Sequence, residues 1–116
     1  PHIIPVCFVY DGHAFYTALD LKPKHVAPER LARVRHIRAN PNVGLLIDEY
    51  GEDWSQLWYV LVRGRAELVS ESAGEEHVKG HRLLKAKYAQ YQAGLLPVGA
   101  PLIRIHPLRI TSWGKL

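Results

Sequence analysis

The sequence predicts a mainly β, α+β protein, built as an antiparallel sheet or barrel with helices on its outside. Asp11-Gly12 separates two runs of β-branched and aromatic residues, which is a strong signal for a β-hairpin. The predicted elements follow the order β-β-α-β-β-α-β and lack the strict alternation of strand and helix that marks a parallel sheet. A hydrophobic content of 47% with 22% charged residues is typical of a globular domain.

The first two predicted strands flank the Asp11-Gly12 turn. The first covers His2–Tyr10 and the second covers Ala14–Asp20. Both contain the aromatic and β-branched residues that fit a pleated, half-buried surface. We therefore expect them to pair as an antiparallel hairpin.

A helix is predicted over residues 27–40. Its apolar residues recur at helical spacing, at Leu31, Val34 and Ile37. Pro41 ends this helix, because a proline disfavours the α conformation in the residue before it.

Two more strands are predicted after this helix. Asn42–Tyr50 has the composition of a buried strand, and Gly51–Gln56 has that of a loop. Leu57–Val69 is a long strand in which Gly64 indicates a bulge or a close approach of another backbone.

A second helix and a last strand complete the predicted order. The helix begins near Ser72, which forms a capping box with Glu75, and it continues to about Gln92. The strand covers Leu102–Trp113. Pro107 within it predicts either an edge strand or a bulge, since proline cannot donate to a sheet ladder.

Length and composition limit the class of protein. The 116 residues predict one domain, 1–116, and no apolar run is long enough for a membrane helix. The single cysteine, Cys7, excludes an internal disulfide and favours a cytoplasmic location. The net charge of +4 favours anionic ligands.

Four segments, taken in order, resemble one known family. They are PHIIPVCFVYDGHAFYTALDLKPK (1–24), RLARVRHIRANPNVGLLIDEY (30–50), DWSQLWYVLVRGRAELV (53–69) and IRIHPLRITSW (103–113). This set resembles the pyridoxamine 5'-phosphate oxidase-like split-barrel superfamily and is closest to its small deazaflavin-dependent oxidoreductases. The resemblance implies a six-stranded antiparallel split β-barrel, the FMN-binding split barrel, with outer helices. Members carry a helix and a strand ahead of the first segment, so we expect both to be missing from this chain.

The resemblance also implies a cofactor site. A flavin-type cofactor needs an apolar surface for its ring and cations or hydroxyl donors for its phosphate. The residues assigned to the cofactor on this basis are Pro5, Val6 and Cys7 beside the ring, and Thr17, Lys22 and Lys24 at the phosphate. On the residues alone, two lysines around Pro23 are more typical of a solvated turn, and it is the resemblance that favours a ligand site.

The tryptophans are the remaining candidates for this site. Trp58 lies between apolar residues in a predicted strand and is interpreted as core. Trp54 and Trp113 are predicted to form site walls at the interface of a homodimer, because a barrel of this size has little room for the ligand inside one subunit.

Other site classes are not supported by the sequence. His77 and His81 have the spacing of a metal pair on a helix, but no third ligand is evident, so we expect no metal. Four arginines in the first predicted helix scatter around it, which favours a solvated face over a nucleic-acid site. The sequence shows no catalytic triad, no phosphate loop and no Rossmann fingerprint, and the catalytic residues are unknown.

Two functions remain open. The first is an oxidoreductase that binds the deazaflavin coenzyme F-420, or alternatively FMN, and exchanges hydride with an unidentified small-molecule substrate. The second is a non-catalytic carrier of a flavin, a deazaflavin or another small ligand on the same fold.

Overall fold

The computed structural model describes residues 3, 5–18 and 32–114. In this part of the chain, the order β-β-α-β-β-α-β is confirmed. The bounds are β1 Phe8–Tyr10, β2 Phe15–Ala18, α1 Ala32–Ala39, β3 Asn42–Glu49, β4 Trp58–Val69, α2 Glu75–Lys87 and β5 Leu102–Gly114. Neither of these helices is long and apolar enough to cross a membrane.

The five described strands form one antiparallel sheet. Their spatial order is β1-β2-β5-β4-β3, and each neighbouring pair is antiparallel. The sheet curls into a half-barrel, which is consistent with a split barrel. Six strands were predicted, and the sixth stays a prediction because the described residues supply five.

One helix covers each face of the sheet. α2 packs on an apolar cluster that includes Tyr16, Leu84 and Leu102. α1 packs on a second cluster, which includes Phe15 and Val34. Successive residues of a strand point to opposite faces, so the neighbours Phe15 and Tyr16 belong to different clusters.

The predicted hairpin is confirmed. β1 pairs with β2, and the Asp11 carboxylate accepts hydrogen bonds from the N–H groups of His13 and Ala14, both at 2.8 Å. Gly12 adopts a φ of 97°, which a glycine tolerates without steric cost. The turn residues thus satisfy their own backbone donors.

The first strand is shorter than predicted. Of His2–Tyr10, the described paired part is Phe8–Tyr10. At the outer edge of β1, the Phe8 N–H donates to the Tyr88 hydroxyl at 3.1 Å. The Phe8 carbonyl accepts from that hydroxyl at 3.1 Å and from the Lys87 ammonium at 2.7 Å. The end of α2 therefore covers this edge in place of another strand.

The prediction of a buried third strand was wrong. β3 is the last strand in the order of the described sheet, and Leu45 is its one fully buried residue. Its continuous apolar run is typical of a central strand, but here Leu46 is 59% exposed. Sequence composition alone did not distinguish a central position in the sheet from a position at its edge.

The last strand is bulged, as predicted, but it is not an edge strand. β5 lies between β2 and β4. Its register with β4 shifts between Arg63 and Gly64, where Gly64 faces Pro107. The bulge accommodates the missing N–H of the proline, so a proline can lie in a central strand.

The second helix is shorter than predicted at both ends. α2 begins at Glu75, and Gly74, with a φ of 65°, precedes it without a side-chain cap. The predicted capping by Ser72 was therefore wrong. The helix stops before Tyr88, which is extended, rather than continuing to Gln92.

Candidate functional site

Two of the predicted cofactor residues lie on one face of the sheet. Thr17 in β2 is paired with Phe8 on one side and with Ile103 on the other. Val6 and Phe8 are half-buried against the apolar cluster under α1, to which Ile103 also belongs. Val6 and Thr17 therefore line the same apolar surface, which is the kind of surface a flat ring requires.

The Thr17 hydroxyl is buried and lacks a hydrogen-bond partner in the described part of the chain. The residue is 4% exposed, and its hydroxyl forms no hydrogen bond with any residue that the structure describes. A buried hydroxyl left unpaired costs about 1–3 kcal/mol. This group is thus available to a ligand that reaches the end of β2.

The strand that carries Thr17 is held firmly under α2. The Tyr16 hydroxyl donates to the Glu76 carboxylate at 3.2 Å, and Arg104 donates to both oxygens of that carboxylate at 2.6 and 2.8 Å. Burial, followed by the nearby charge of Glu76, raises the pKa of Tyr16 to about 12. Since Tyr16 and Thr17 are consecutive, this network fixes the direction of the Thr17 side chain.

The residues predicted beside the ring do not all face Thr17. Pro5 is exposed, and Cys7 packs against the opposite cluster, under α2. The Gln90 amide lies 4.0 Å from the Cys7 sulfur. Within the segment 5–7, only the Val6 side chain packs against the cluster on the Thr17 face. Lys22 and Lys24 lie outside the described residues, so their role stays a prediction.

The two predicted tryptophan walls lie far from Thr17 in the same chain. Trp54 is 74% exposed and Trp113 is 55% exposed. Trp113 lies ten residues beyond Ile103 on β5, which corresponds to about 30 Å along the strand. Neither tryptophan belongs to the apolar cluster on the Thr17 face of the same chain.

Trp113 belongs instead to an open cup at the far end of β3, β4 and β5. Its ring stacks on Tyr59 with the centroids 5.9 Å apart. The cup has a volume of about 370 Å³ and includes the carboxylates of Asp48 and Glu49. Trp58 lines the cup, and its indole N–H donates to the Glu49 carboxylate at 3.3 Å. Trp58 is half-buried, so the prediction that it belongs to the core was wrong. The sequence reasoning missed this cup, because the strand register that assembles it is not visible in the sequence.

The histidine pair of α2 has a structural partner. Both Nε2 atoms point at the Ala100 carbonyl, at 2.8 Å from His77 and 2.7 Å from His81. Within the described part of the chain, no three His, Cys, Asp or Glu side chains cluster as metal ligands would. Burial lowers the pKa of His81, although the hydrogen bond to the Ala100 carbonyl opposes this effect. The charges of His77 and Lys85 lower the pKa further, and Glu71 opposes them weakly.

This lowered pKa predicts a loss of stability in acid. Well above pH 6.5, the ordinary His pKa, His81 is neutral in both the folded and unfolded states. As the pH falls below 6.5, the unfolded chain binds a proton first, so the free energy of unfolding decreases. Urea unfolding at pH 7.5 and 5.5 should show this decrease in the parent protein and a smaller one in His81→Gln. His106→Gln, at an exposed position, is the control, and an equal decrease in all three proteins would contradict the prediction.

Comparison with known proteins identifies a family. The family model described as pyridoxamine 5'-phosphate oxidase matches residues 1–114. Among curated proteins, none matches this chain.

Solved structures share the fold at low sequence identity. A FAD-binding protein from Mesorhizobium loti has a TM-score of 0.67 and 21% identity, over 97% of this chain and 75% of its own. A Listeria innocua protein described as a candidate pyridoxamine 5'-phosphate oxidase has a TM-score of 0.59 and 22% identity, over 95% and 76%. An Agrobacterium tumefaciens protein of unknown function has a TM-score of 0.67 and 13% identity, over 96% of this chain. This chain spans only 44% of that last protein.

Proposed function

This chain belongs to the pyridoxamine 5'-phosphate oxidase family, and we propose on that basis that it binds a flavin-type cofactor and exchanges hydride with a small organic molecule. The observation that carries the proposal is the buried hydroxyl of Thr17, which has no hydrogen-bond partner among the described residues and lies at the edge of an apolar surface. The FAD-binding protein from Mesorhizobium loti, which shares the fold, supports a flavin as the class of ligand.

We propose the deazaflavin coenzyme F-420 as the cofactor, with FMN as the alternative. Both present a planar ring and a phosphate. Val6 and the backbone of Pro5 and Cys7 would lie beside the ring, and Thr17 would donate to the phosphate together with Lys22 and Lys24. The arginine-rich chain, with a net charge of +4, favours the more anionic of the two, which is the deazaflavin.

The bound cofactor would supply the hydride chemistry. The described residues on the Thr17 face would bind the cofactor ring and shield it from water. They would take no part in proton transfer, because the apolar cluster there includes no titratable side chain. Such a surface excludes water from the ring. The cofactor would be oriented by the Thr17 hydroxyl and by Lys22 and Lys24, which would hold its phosphate. None of the described residues in this cluster is a general acid or base.

The same lack of titratable groups also supports a second candidate, a non-catalytic carrier of the same ligand. A single-turnover experiment separates the two. Reduced cofactor bound to the protein, mixed without oxygen with a quinone acceptor, should be oxidised faster than free reduced cofactor at the same concentration. Tight binding with no acceleration for any acceptor tried would support the carrier.

Removing the Thr17 hydroxyl should weaken cofactor binding without harming the fold. Thr17→Val keeps the shape of the side chain, so the cofactor-free protein should be as stable as the parent or slightly more stable. The lost hydrogen bond to an anion predicts roughly tenfold weaker binding in a fluorescence titration. Thr111→Val, at an exposed position of β5, is the control. Equal affinity for parent and Thr17→Val would remove Thr17 from the site.

We further propose that residues 1–116 belong to one domain, a six-stranded split barrel, and that the protein acts as a cytoplasmic homodimer. The outer edge of β3 pairs with no strand among the described residues, and a sixth strand there would extend the sheet. Trp54 and Trp113 would complete the cofactor site of a second subunit, since they lie far from Thr17 in their own.

A further inference from the structure

The chain enters β5 through a short irregular segment, residues 96–101, which we call the connector. It belongs to no helix or strand of the structure, and its Ala100 N–H donates to the Pro97 carbonyl at 3.1 Å. Leu96 and Ala100 pack into the apolar cluster under α2, whereas Val98 between them is 90% exposed. A segment outside the regular elements can open while the rest of the fold stays closed.

Two histidines of α2 hold the connector in place. His77 and His81 are 5% and 7% exposed, and their Nε2 atoms lie 2.8 and 2.7 Å from the Ala100 carbonyl oxygen. A carbonyl only accepts hydrogen bonds, so each neutral ring carries its proton on Nε2 and leaves Nδ1 without one. Neither Nδ1 has a hydrogen-bond partner among the described residues. A second proton on either ring would therefore be a buried donor without an acceptor, which is costly.

The groups packed around His81 set how readily it takes up a proton. Burial is the largest influence and keeps the pKa of His81 below the ordinary value of 6.5, although the hydrogen bond to Ala100 opposes it. On α2 itself, the His77 ring lies 4.3 Å away between centroids, and its charge and that of Lys85 both disfavour the proton. Glu71, in the turn before α2, lies directly against Gly99 of the connector and weakly favours the proton.

We propose that this histidine pair is a pH-sensitive switch, which holds the connector on α2 while His81 is neutral and releases it when His81 binds a proton. In the open form the imidazolium reaches water, where its Nδ1–H finds an acceptor. The open form therefore binds a proton at the ordinary pKa of 6.5, and the closed form resists it. As the pH falls from 7.5 to 5.5, the ratio of open to closed molecules should rise by up to about tenfold.

Opening of the connector would reach the end of β2. Leu102, the first residue of β5, follows the connector and pairs with Ala18, the last residue of β2. Ile103 next to it pairs with Thr17. An open connector leaves this end of the ladder free to fray, so acid would loosen the strand end that leads to the predicted phosphate site. This consequence for the cofactor rests on the proposed function, whereas the opening itself does not.

Amide hydrogen exchange, followed by NMR on the cofactor-free protein at pH 7.5 and 5.5, tests the proposal. After correction for the intrinsic pH dependence of exchange, the Ala100 amide reports opening of the connector. The Leu61 amide, in the middle of β4 with a strand on either side, reports global unfolding. Ala100 should open more often than Leu61 at both pH values. Its opening constant should rise at least about threefold at pH 5.5, with about tenfold as the limit for one proton.

A conservative variant separates the switch from a general effect of acid. His81→Gln keeps an N–H donor for the Ala100 carbonyl but binds no proton, so its Ala100 opening constant should be the same at both pH values. His106→Gln, at an exposed position of β5, is the control and should behave as the parent does.

Two results would overturn the proposal. One is an Ala100 amide in the parent protein that opens no more often than Leu61, because the connector would then open only by global unfolding. The other is an equal increase of Ala100 opening in acid in the parent and in His81→Gln. The first comparison needs only the parent protein, so it decides the matter even where the variant fails to fold. Because the samples contain no cofactor, failure of the proposed function would leave both results unchanged.

Discussion

Replacing both Lys22 and Lys24 with alanine should weaken cofactor binding by at least a hundredfold. Each lysine is predicted to donate a charge-assisted hydrogen bond to the cofactor phosphate, and such a bond contributes about 1.5–3 kcal/mol, or roughly ten- to hundredfold in affinity. Lys24→Ala should account for the larger part, because Lys24 is nearer in sequence to the helix that follows. The melting temperature of the cofactor-free protein should stay unchanged, since the predicted partner of both lysines is the ligand.

Fluorescence titration and thermal unfolding of the same samples check this prediction together. Arg82→Ala is the control, because it removes a cation from an exposed helix position far along the chain from the lysines. Unchanged affinity in the double variant would mean that the two lysines are solvated and that the phosphate site lies elsewhere. A large fall in melting temperature without cofactor would mean that they support the fold.

Gly64→Ala should destabilise the protein by about 3 kcal/mol, the upper part of the range for an added carbon in a packed interior. A Cβ at Gly64 would collide with the carbonyl group of His106 in the neighbouring strand. That neighbour is backbone, so relief requires β4 and β5 to separate at the bulge. Urea unfolding should show a lower midpoint with an unchanged slope.

Gly44→Ala is the matched control for this substitution. Gly44 also lies within a strand, but a Cβ there would meet the Leu61 side chain at 3.8 Å, an ordinary contact. This variant should be as stable as the parent or up to about 1 kcal/mol more stable, because alanine costs less conformational entropy than glycine. Equal destabilisation by both substitutions would contradict the close approach at the bulge.

Local signals in the sequence predicted much of the fold correctly. Asp11-Gly12 encodes its own turn, since the Asp11 carboxylate binds the N–H groups that follow it. Gly64 and Pro107 each indicated a bulge, and they face each other across one. These features depend on a few neighbouring residues, which is why the sequence shows them.

Features that depend on strand order were predicted less well. β3 has the composition of a central strand but lies at the edge of the described sheet, and β5 contains a proline but lies in its middle. The cup of Asp48, Tyr59 and Trp113 joins three strands through a register that no single segment encodes. For the cofactor site, the resemblance indicated Val6 and Thr17, which share a face. It could not indicate that Trp113 lies at the opposite end of the sheet.

Equilibrium binding of FMN and of F-420 to the purified protein tests the central claim most directly. Titration of each cofactor, followed by its fluorescence or absorbance, should give saturable binding of at least one of them with one site per chain. The affinity should fall in Thr17→Val and in the double lysine variant but not in Arg82→Ala. A folded protein that binds neither cofactor, in the same buffer and at concentrations well above its own, would contradict the account.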